Sequence, residues 1–560
     1  MLRRSIPLAY AFVKPPPIVN ERMDNFEPGS AAAKGTLEAC KAARSTTHEC
    51  PIIIGGKEYK TNSVITRTMP SDHSVTLAKG YNATPEMAKK AVDTAIEAGK
   101  EWRNVPFRER AAIFLKAAHL LSTTYRNEMR AATMLGQSKN PWQAEIDSVA
   151  EGCDFLRWGV HFAEQLYHEQ PLSIGNSGIW NTTDYRPTEG FWSAITPFNF
   201  TAIAANLAGA PALMGNTVVW KPSPSAIYSN YLMMKIFEEA GLPPGVINFI
   251  PCEPEAMDAS VNADPRLAGV IFTGSSRVFT EINKNVYSRL ENYQNFPRIS
   301  GETGGKDFHL VHPTADLKLV AANTIRGAFE YQGQKCSATS RMYVPKSSWK
   351  ELKELLIKGQ KQIKMGQPED FENFMCAVID EAAYNKNKRY IDMAKADPDN
   401  YTILAGGNCN KTKGFFVEPT IIESKDPKAT LMREEIFGPV LTVTVYDDSK
   451  PGFWKEVCEL VDTSTPYSLT GSVFSRDRQP IIEATNYLRY AAGNFYINDK
   501  STGAVVGQQP FGGARLSGSN DKPGSAQFLL RFVSARSIKE NFDITPNISY
   551  PHQLPEVYKL

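Results

Sequence analysis

Apolar and polar positions along this chain fall into two alternating rhythms after about residue 50. Residues 84–100 (TPEMAKKAVDTAIEAGK) place apolar side chains at helical spacing behind a threonine N-cap and a proline at the first helical position, and so predict a helix. Residues 107–125 and 141–165 carry the same period. Short runs rich in β-branched and aromatic residues follow at 191–195, 217–220, 246–250 and 268–272. Between them lies a helical stretch at 225–240, ended by Gly241 and Pro243. This order predicts an α/β fold, a parallel sheet with helices on both faces. Such sheets bind ligands at the carboxyl ends of their strands. The loops TPFNF, KPSPS and FTGSS each follow one of these runs directly, which makes them candidate site loops.

A second α/β stretch begins near Asp307. It reads as a helix at 323–331, the loop GQKCSA, a strand at 340–344 and a lysine-rich helix at 347–364 whose charges form a solvated face. Further strands are predicted at 441–446, 471–474 and 493–497. The last regular run, 528–538, reads as a terminal strand available for pairing, within the chain or with another subunit. The first 50 residues, with PPP and an Ala/Gly/Ser stretch, read as irregular.

Composition narrows the function classes. With 42% hydrophobic and 22% charged residues the chain can bury large cores, and its 560 residues suggest three or four domains, or fewer large ones. The 62 basic and 60 acidic residues leave a net charge of +2, which argues against a nucleic-acid partner. The 8 cysteines are scattered with no C-x-x-C pair, so no metal site and no disulfide framework is expected; free thiols in a reducing compartment are. No charged residue falls between Glu189 and Lys221, a span long enough to cross a bilayer. Pro197, Pro211, Asn199, Asn206, Asn216, Gly209 and Gly215 interrupt it, which favours a buried core over a membrane segment. The N-terminus, MLRRSIPLAYAFVKPPPIVN, is basic and has no acid before Glu21. It reads as a mitochondrial transit peptide, with a disordered arm as the alternative.

Five segments go beyond α/β punctuation: TPFNF (196–200), GETGGK (301–306), GQKCSA (333–338), EEIFGP (434–439) and PFGGARLSG (510–518). In this order they resemble the aldehyde dehydrogenase superfamily, over nearly everything after about residue 50. TPFNFTAI, NLAGAPALMGN, FEYQGQKCSA, FYINDKSTG and VGQQPFGGAR are similar to the branch that oxidises glutamate γ-semialdehyde, the open form of Δ1-pyrroline-5-carboxylate. The resemblance implies an aldehyde dehydrogenase fold: a Rossmann-like NAD-binding domain (51–171 and 191–304), an α/β catalytic domain (305–525) and a β oligomerisation flap (172–190 and 526–560). Residues 1–50 would be transit peptide and N-terminal arm.

Oxidising an aldehyde needs a nucleophile, because hydride leaves a tetrahedral adduct more readily than a planar carbonyl. A free cysteine is only about 3% thiolate at pH 7, so an active one needs a lowered pKa or a base. Cys336 is the candidate nucleophile, with Lys335 and nearby backbone N–H groups as possible stabilisers of its anion. The resemblance implies that Asn199 donates its amide to the oxyanion of the adduct, together with the Cys336 N–H. It also implies that Glu302 is the general base for thioester hydrolysis. Its flanking glycines Gly301, Gly304 and Gly305 permit tight turns. Thr303 stands where relatives more often have leucine, and Lys306 reads as structural.

No G-x-G-x-x-G is present, so the cofactor, NAD, is implied by the resemblance alone. It places Lys221, Pro222 and Ser223 at the adenosine end, Gly274 and Ser275 at the pyrophosphate on a helix N-terminus, and Glu435 with Phe437 at the nicotinamide ribose. Many NAD-specific relatives have glutamate three residues after the lysine; here that position is Pro224, so the preference for NAD over NADP rests on the branch. For the substrate, the resemblance places Ser337 and the backbone amides of Gly503 and Ala504 around the α-carboxylate. Phe200 and Phe511 would flank the aliphatic chain, and Glu151 would face the α-ammonium. No metal is expected. A small-molecule substrate, a mitochondrial matrix location and a homodimer, with a hexamer as the alternative, complete the expectation. Three other functions stay open at this point: a dehydrogenase for another semialdehyde such as succinate semialdehyde, a coenzyme-A-acylating dehydrogenase, and a non-catalytic protein on this fold.

Overall fold

Two seven-stranded sheets organise the molecule, and the boundary between them falls in the sequence between Glu302 and Asp307. The structure, a computed structural model, describes residues 14–173, 178–542, 548–550 and 552–553.

The first sheet runs Arg298–Glu302, Leu267–Thr273, Phe191–Ile195, Val218–Lys221, Ile247–Phe249, Ile52–Ile54, Lys57–Tyr59. Its first five strands are parallel; the last two close the edge antiparallel. Phe191, Trp192, Val218, Val219, Val270 and Ile271 are all buried, as continuous apolar runs are when helices cover both faces of a parallel sheet. The charge-free span becomes a strand, the buried helix Thr201–Leu213 and a second strand. Among the described residues no helix is long and apolar enough to cross a membrane. Because the central strands are parallel, the loops TPFNF, KPSPS and FTGSS emerge along one edge.

The second sheet runs Tyr401–Ala405, Thr420–Ser424, Val440–Tyr446, Thr339–Pro345, Asp307–Val311, Thr470–Phe474, Asn494–Ile497, and only Tyr401–Ala405 is antiparallel. A two-stranded ribbon pairs Ile179–Pro187 with Val533–Asn541 over nine residues.

Two expectations need correction. The first 50 residues are not irregular throughout. Ala31–Arg44 is a helix whose N-cap, Ser30, accepts from the Ala33 N–H at 3.2 Å, and acids ahead of it dock onto the protein. Glu21 pairs with Arg126 at 2.8 Å and with Arg157 at 2.6 Å, and Asp24 pairs with the buried Arg130. The terminal run is not one strand. Ser525 caps a helical turn at Ala526–Leu529 with Phe528 and Leu529 in the core, and the strand begins only at Val533. The segment 172–190, expected as part of the oligomerisation flap, contributes a strand, Ile179–Pro187, that pairs with the chain's own C-terminal strand. Residues 174–177 of that segment, and residues 1–13 of the expected transit peptide, lie outside the described residues.

Candidate active site

Cys336 sits half-buried in the loop between the helix Leu317–Phe329 and the strand Thr339–Pro345. Three successive left-handed residues lead into it: Tyr331 (φ 51°), Gln332 (φ 55°) and Gly333 (φ 64°). Two of the three carry side chains, and such a conformation costs them roughly 1–2 kcal/mol each. Buried hydrogen bonds offset that cost. The Gln332 amide donates to the carbonyls of Ser138 (2.9 Å) and Ala377 (2.8 Å), and its oxygen accepts from the Cys376 N–H (3.0 Å). At Gly333 a β-carbon would lie 2.3 Å from the Gly438 carbonyl, so only glycine lets the EEIFGP loop pack here.

Asn199 follows the strand Phe191–Ile195 and is buried. Its amide donates to the Gln334 carbonyl at 3.1 Å, two residues before Cys336. The helix Thr201–Leu213 starts just beyond. The N–H groups of Thr201 and Ala202 each donate to Asp147 at 3.0 Å, a carboxylate at the positive end of the helix dipole.

Glu302 ends the strand Arg298–Glu302. One carboxyl oxygen accepts the Gly513 N–H at 3.1 Å; the other is buried with no hydrogen-bond partner among the described residues. Burial holds the carboxyl well above its usual range, against the Gly513 N–H and the Lys522 charge. Thr303, the departure from leucine, donates its hydroxyl to the Leu516 carbonyl and its N–H to the Ser517 carbonyl at 2.9 Å. The polar residue therefore ties GETGGK to PFGGARLSG. Gly304 and Gly305 bring that backbone against the other motifs. A β-carbon would sit 2.2 Å from the Glu435 carboxylate at Gly304, and 2.5 Å from the Cys336 carbonyl at Gly305. The Gly305 N–H donates to Glu435 at 3.0 Å.

Burial also drives the Cys336 thiol well above its ordinary value, and Asp307, Glu435 and Glu302 add to the effect; its own backbone N–H opposes them. Lys335 does not supply the stabilising charge expected of it, because its ammonium is 3.0 Å from the Glu330 carboxylate. Lys306 has a buried ammonium with no hydrogen-bond partner among the described residues, and burial lowers it to about 7.

Five of the cofactor candidates follow strands of the first sheet at one edge, and Glu435 and Phe437 come from the loop before the second sheet's strand Val440–Tyr446. Lys221 closes the strand Val218–Lys221, with Pro222 buried and Ser223 half-buried behind it. The Gly274 N–H donates to the Glu302 carbonyl at 3.2 Å, which joins this edge to the base candidate. Ser275 is the N-cap of the helix Ser276–Tyr287, its hydroxyl accepting from Val278 at 3.3 Å. Phe437 is left-handed (φ 58°), and its ring lies 5.9 Å from that of Phe198. Glu435 is faced by Lys386 and Lys306, which oppose the rise that burial imposes on it. These groups fit a dinucleotide: a lysine at a strand end, a glycine-serine turn opening a helix N-terminus, and a buried carboxylate beside the thiol loop. Pro224 starts a short turn, Pro224–Ala226, and brings no carboxylate there.

The substrate candidates come from separate segments of the chain, of which Ser337 adjoins Cys336 directly. The Ser337 hydroxyl shares a 2.7 Å hydrogen bond with Thr502, and the Ser337 carbonyl accepts from Ser501 at 3.1 Å. That places the loop carrying Gly503, which is exposed at φ +103°, and Ala504 beside the cysteine loop. The Phe511 N–H donates to the Pro523 carbonyl at 3.1 Å. Phe200 and Tyr331 lie on two sides of the buried Lys139 ammonium, 4.3 and 4.4 Å from their ring centroids. Lys139 pairs with Asp147 at 2.6 Å. Glu151 closes a π-helical turn, Glu145–Glu151, that interrupts the helix expected over 141–165. Burial and Asp147 push its carboxyl up to about 8, against Lys139 and Lys335. Such turns recur at functional sites.

Sequence reasoning missed Lys139, Asp147 and Tyr331. The available signal was a lysine in the short link between two helices and an aspartate eight positions on, which does not name the partner of either. A cavity of about 1000 Å³ lies elsewhere, between the ribbon and the first sheet's helices, against Arg103, Tyr167, Arg186, Glu189, Phe296 and Arg298. It contains none of the candidate residues. Among the described residues no His/Cys/Asp/Glu group could hold a metal ion.

A sequence model of the aldehyde dehydrogenase family matches residues 58–538. The mitochondrial Δ1-pyrroline-5-carboxylate dehydrogenase of Dictyostelium discoideum is 50% identical over 541 residues, covering 96% of this chain and 96% of that protein. The protein of the same name from Homo sapiens is 47% identical, covering 96% of this chain and 94% of its own length. The crystal structure of the Mycobacterium tuberculosis Δ-pyrroline-5-carboxylate dehydrogenase bound with NAD superposes with a TM-score of 0.92 at 44% identity, over 97% of this chain and 99% of that one.

Proposed function

This chain belongs to the aldehyde dehydrogenase family, and on that premise we propose that it oxidises L-glutamate γ-semialdehyde, formed from Δ1-pyrroline-5-carboxylate, to L-glutamate with reduction of NAD. This is the last step of proline degradation. The observation that carries the reading is convergence on one loop: the Asn199 amide rests on the Gln334 carbonyl, and Gly305 of GETGGK lies under the Cys336 carbonyl.

In this reading Cys336 attacks the aldehyde carbon as thiolate. Its raised pKa means that the thiol rests neutral, so a base must take its proton before attack. The Asn199 amide and the Cys336 N–H stabilise the adduct's oxyanion, and one such donor contributes about 3 kcal/mol in other enzymes. NAD, held by Lys221, Pro222, Ser223, Gly274, Ser275, Glu435 and Phe437, supplies the hydride acceptor when bound. Glu302 then takes a proton from the water that hydrolyses the thioester on Cys336. Its second carboxyl oxygen, which has no hydrogen-bond partner among the described residues, suits that role. Ser337, with the Gly503 and Ala504 amides, holds the α-carboxylate, and Phe200 and Phe511 flank the carbon chain. Glu151 faces the α-ammonium, a cation that favours its ionised form.

The two sheets support division into a NAD-binding domain at 51–171 and 191–304 and a catalytic domain at 305–525. Trp180, Ile538 and Phe542 on the ribbon are exposed, which supports a homodimer formed through 172–190 and 526–560. The relatives' mitochondrial names, with the basic N-terminus, support a matrix location. The deciding experiment compares kcat/KM for Δ1-pyrroline-5-carboxylate and succinate semialdehyde with NAD. The reading expects a clear preference for the first; an equal or reversed preference rejects the substrate assignment.

A further inference from the structure

The loop after PFGGARLSG carries a charged side chain that the mechanism above does not use. Lys522 is half-buried and adopts a left-handed backbone (φ 60°). Its ammonium donates to the carbonyls of Gly493 at 2.8 Å and Gly512 at 2.9 Å, and lies 3.4 Å from Asn494 Oδ1. The Gly512 carbonyl and the Gly513 N–H are the two ends of one peptide group. That N–H is the donor to Glu302 Oε2 at 3.1 Å. The preceding N–H, of Gly512, donates to Asn494 at 3.1 Å, so the peptide is fixed from both sides. A cation bonded to a peptide's oxygen polarises the group and strengthens donation from its nitrogen. The close approach depends on glycine, because a β-carbon at Gly512 (φ +148°) would stand 2.8 Å from Glu302 Oε1.

We propose that Lys522 is a positioning residue for Glu302, acting through the Gly512–Gly513 peptide to orient the carboxylate and to favour its ionised form against burial. This rests on the reading of Glu302 as the base for thioester hydrolysis. The charged and titratable groups facing Glu302 are Lys522 and Asp521 on this loop and the Cys336 thiol across the site. Asp521 accepts from Ser300 (2.7 Å) and Ser519 (2.6 Å) and pairs with Arg531 (2.6 Å). Of the three, Lys522 alone favours the ionised carboxylate; Asp521 and a thiolate at Cys336 oppose it. Burial lowers the Lys522 ammonium in turn, and Glu302 raises it, so each sustains the other's charge.

The test measures the NADH burst and the pH dependence of the steady rate after it, in the full-chain enzyme and in K522M, K522Q, K522R and E302Q. Removing the charge moves the acid limb of the steady rate upward by about one pH unit, with the burst retained. That shift is expected in both K522M and K522Q, while K522R stays near the wild-type profile. A residue that merely props the loop predicts otherwise: K522Q, which can keep a carbonyl contact without the charge, would match wild type. If K522Q matches wild type while E302Q loses the limb, the proposal fails and the base assignment stands. If E302Q itself retains the limb, the base assignment fails first.

Discussion

Cys336 shows how much one residue's chemistry depends on its neighbours. Its thiol is flanked by three carboxyl groups and held neutral, so reactivity must come from a base and from the groups that receive the adduct's charge. Replacing it with alanine should therefore lower turnover by on the order of 10⁴-fold or more while NAD binding, read by fluorescence titration, persists. Turnover within tenfold of wild type would remove it as nucleophile. The loop that presents it owes its shape to Gln332. Gln332→Ala strips three buried backbone groups of their partners at a left-handed position, and should cost about 1–3 kcal/mol in denaturant unfolding. Cys336, Asn199 and Glu302 could be singled out from the sequence because each sits in a short motif that, in this order, resembles the family's; beside Cys336 and Glu302 those motifs carry glycines that close approach demands. Lys139, Tyr331 and Lys522 could not, because what defines them is a partner far away in the chain, such as Phe200 against Lys139 or the Gly512 carbonyl against Lys522.

Among the elements, the strand Asp307–Val311 joins the sheet to the substrate loop through His309. The ring accepts the Ser501 N–H on Nε2 at 3.2 Å, which leaves Nδ1 as donor to Thr324 at 2.9 Å, so the imidazole is neutral. Burial depresses it from 6.5 to about 3. The sign follows from linkage. Below about pH 6.5 the unfolded chain binds a proton that the folded site refuses, so His309 lowers stability progressively as pH falls toward about 3. H309Q should flatten the fall of Tm between pH 6.5 and 4; an unchanged slope would contradict the assignment. Strands and helices of the first sheet were legible because their periods are long and regular. The π-helical turn Glu145–Glu151 was not, since one inserted residue leaves the apolar pattern readable as a plain helix. The turn at Ala526–Leu529 was missed because an apolar run this short fits strand or helix equally.

Across the whole molecule, the N-terminal arm is docked from Asn20 onward. Asn20 donates to Asp154 at 2.7 Å and to the Val506 carbonyl at 2.8 Å, and Glu21 and Asp24 reach three arginines. Removing the residues before Asn20 should leave kcat unchanged and move the protein out of mitochondria. Removal through Gly29 should also lower Tm, because the buried Arg130 and the largely buried Arg126 lose carboxylate partners. Equal melting of the two truncated proteins would show that the arm carries no stability. The fold class and the order of its two halves were readable from the β-α-β rhythm, whereas the arm's docking rests on ion pairs between residues about 100 positions apart.

The most direct test of the account is mass spectrometry of E302Q, quenched during turnover with Δ1-pyrroline-5-carboxylate and NAD. The account predicts a NADH burst and a glutamyl group attached by a thioester to the peptide containing Cys336. NADH formation with that peptide unmodified, or with the acyl group on another residue, would contradict it.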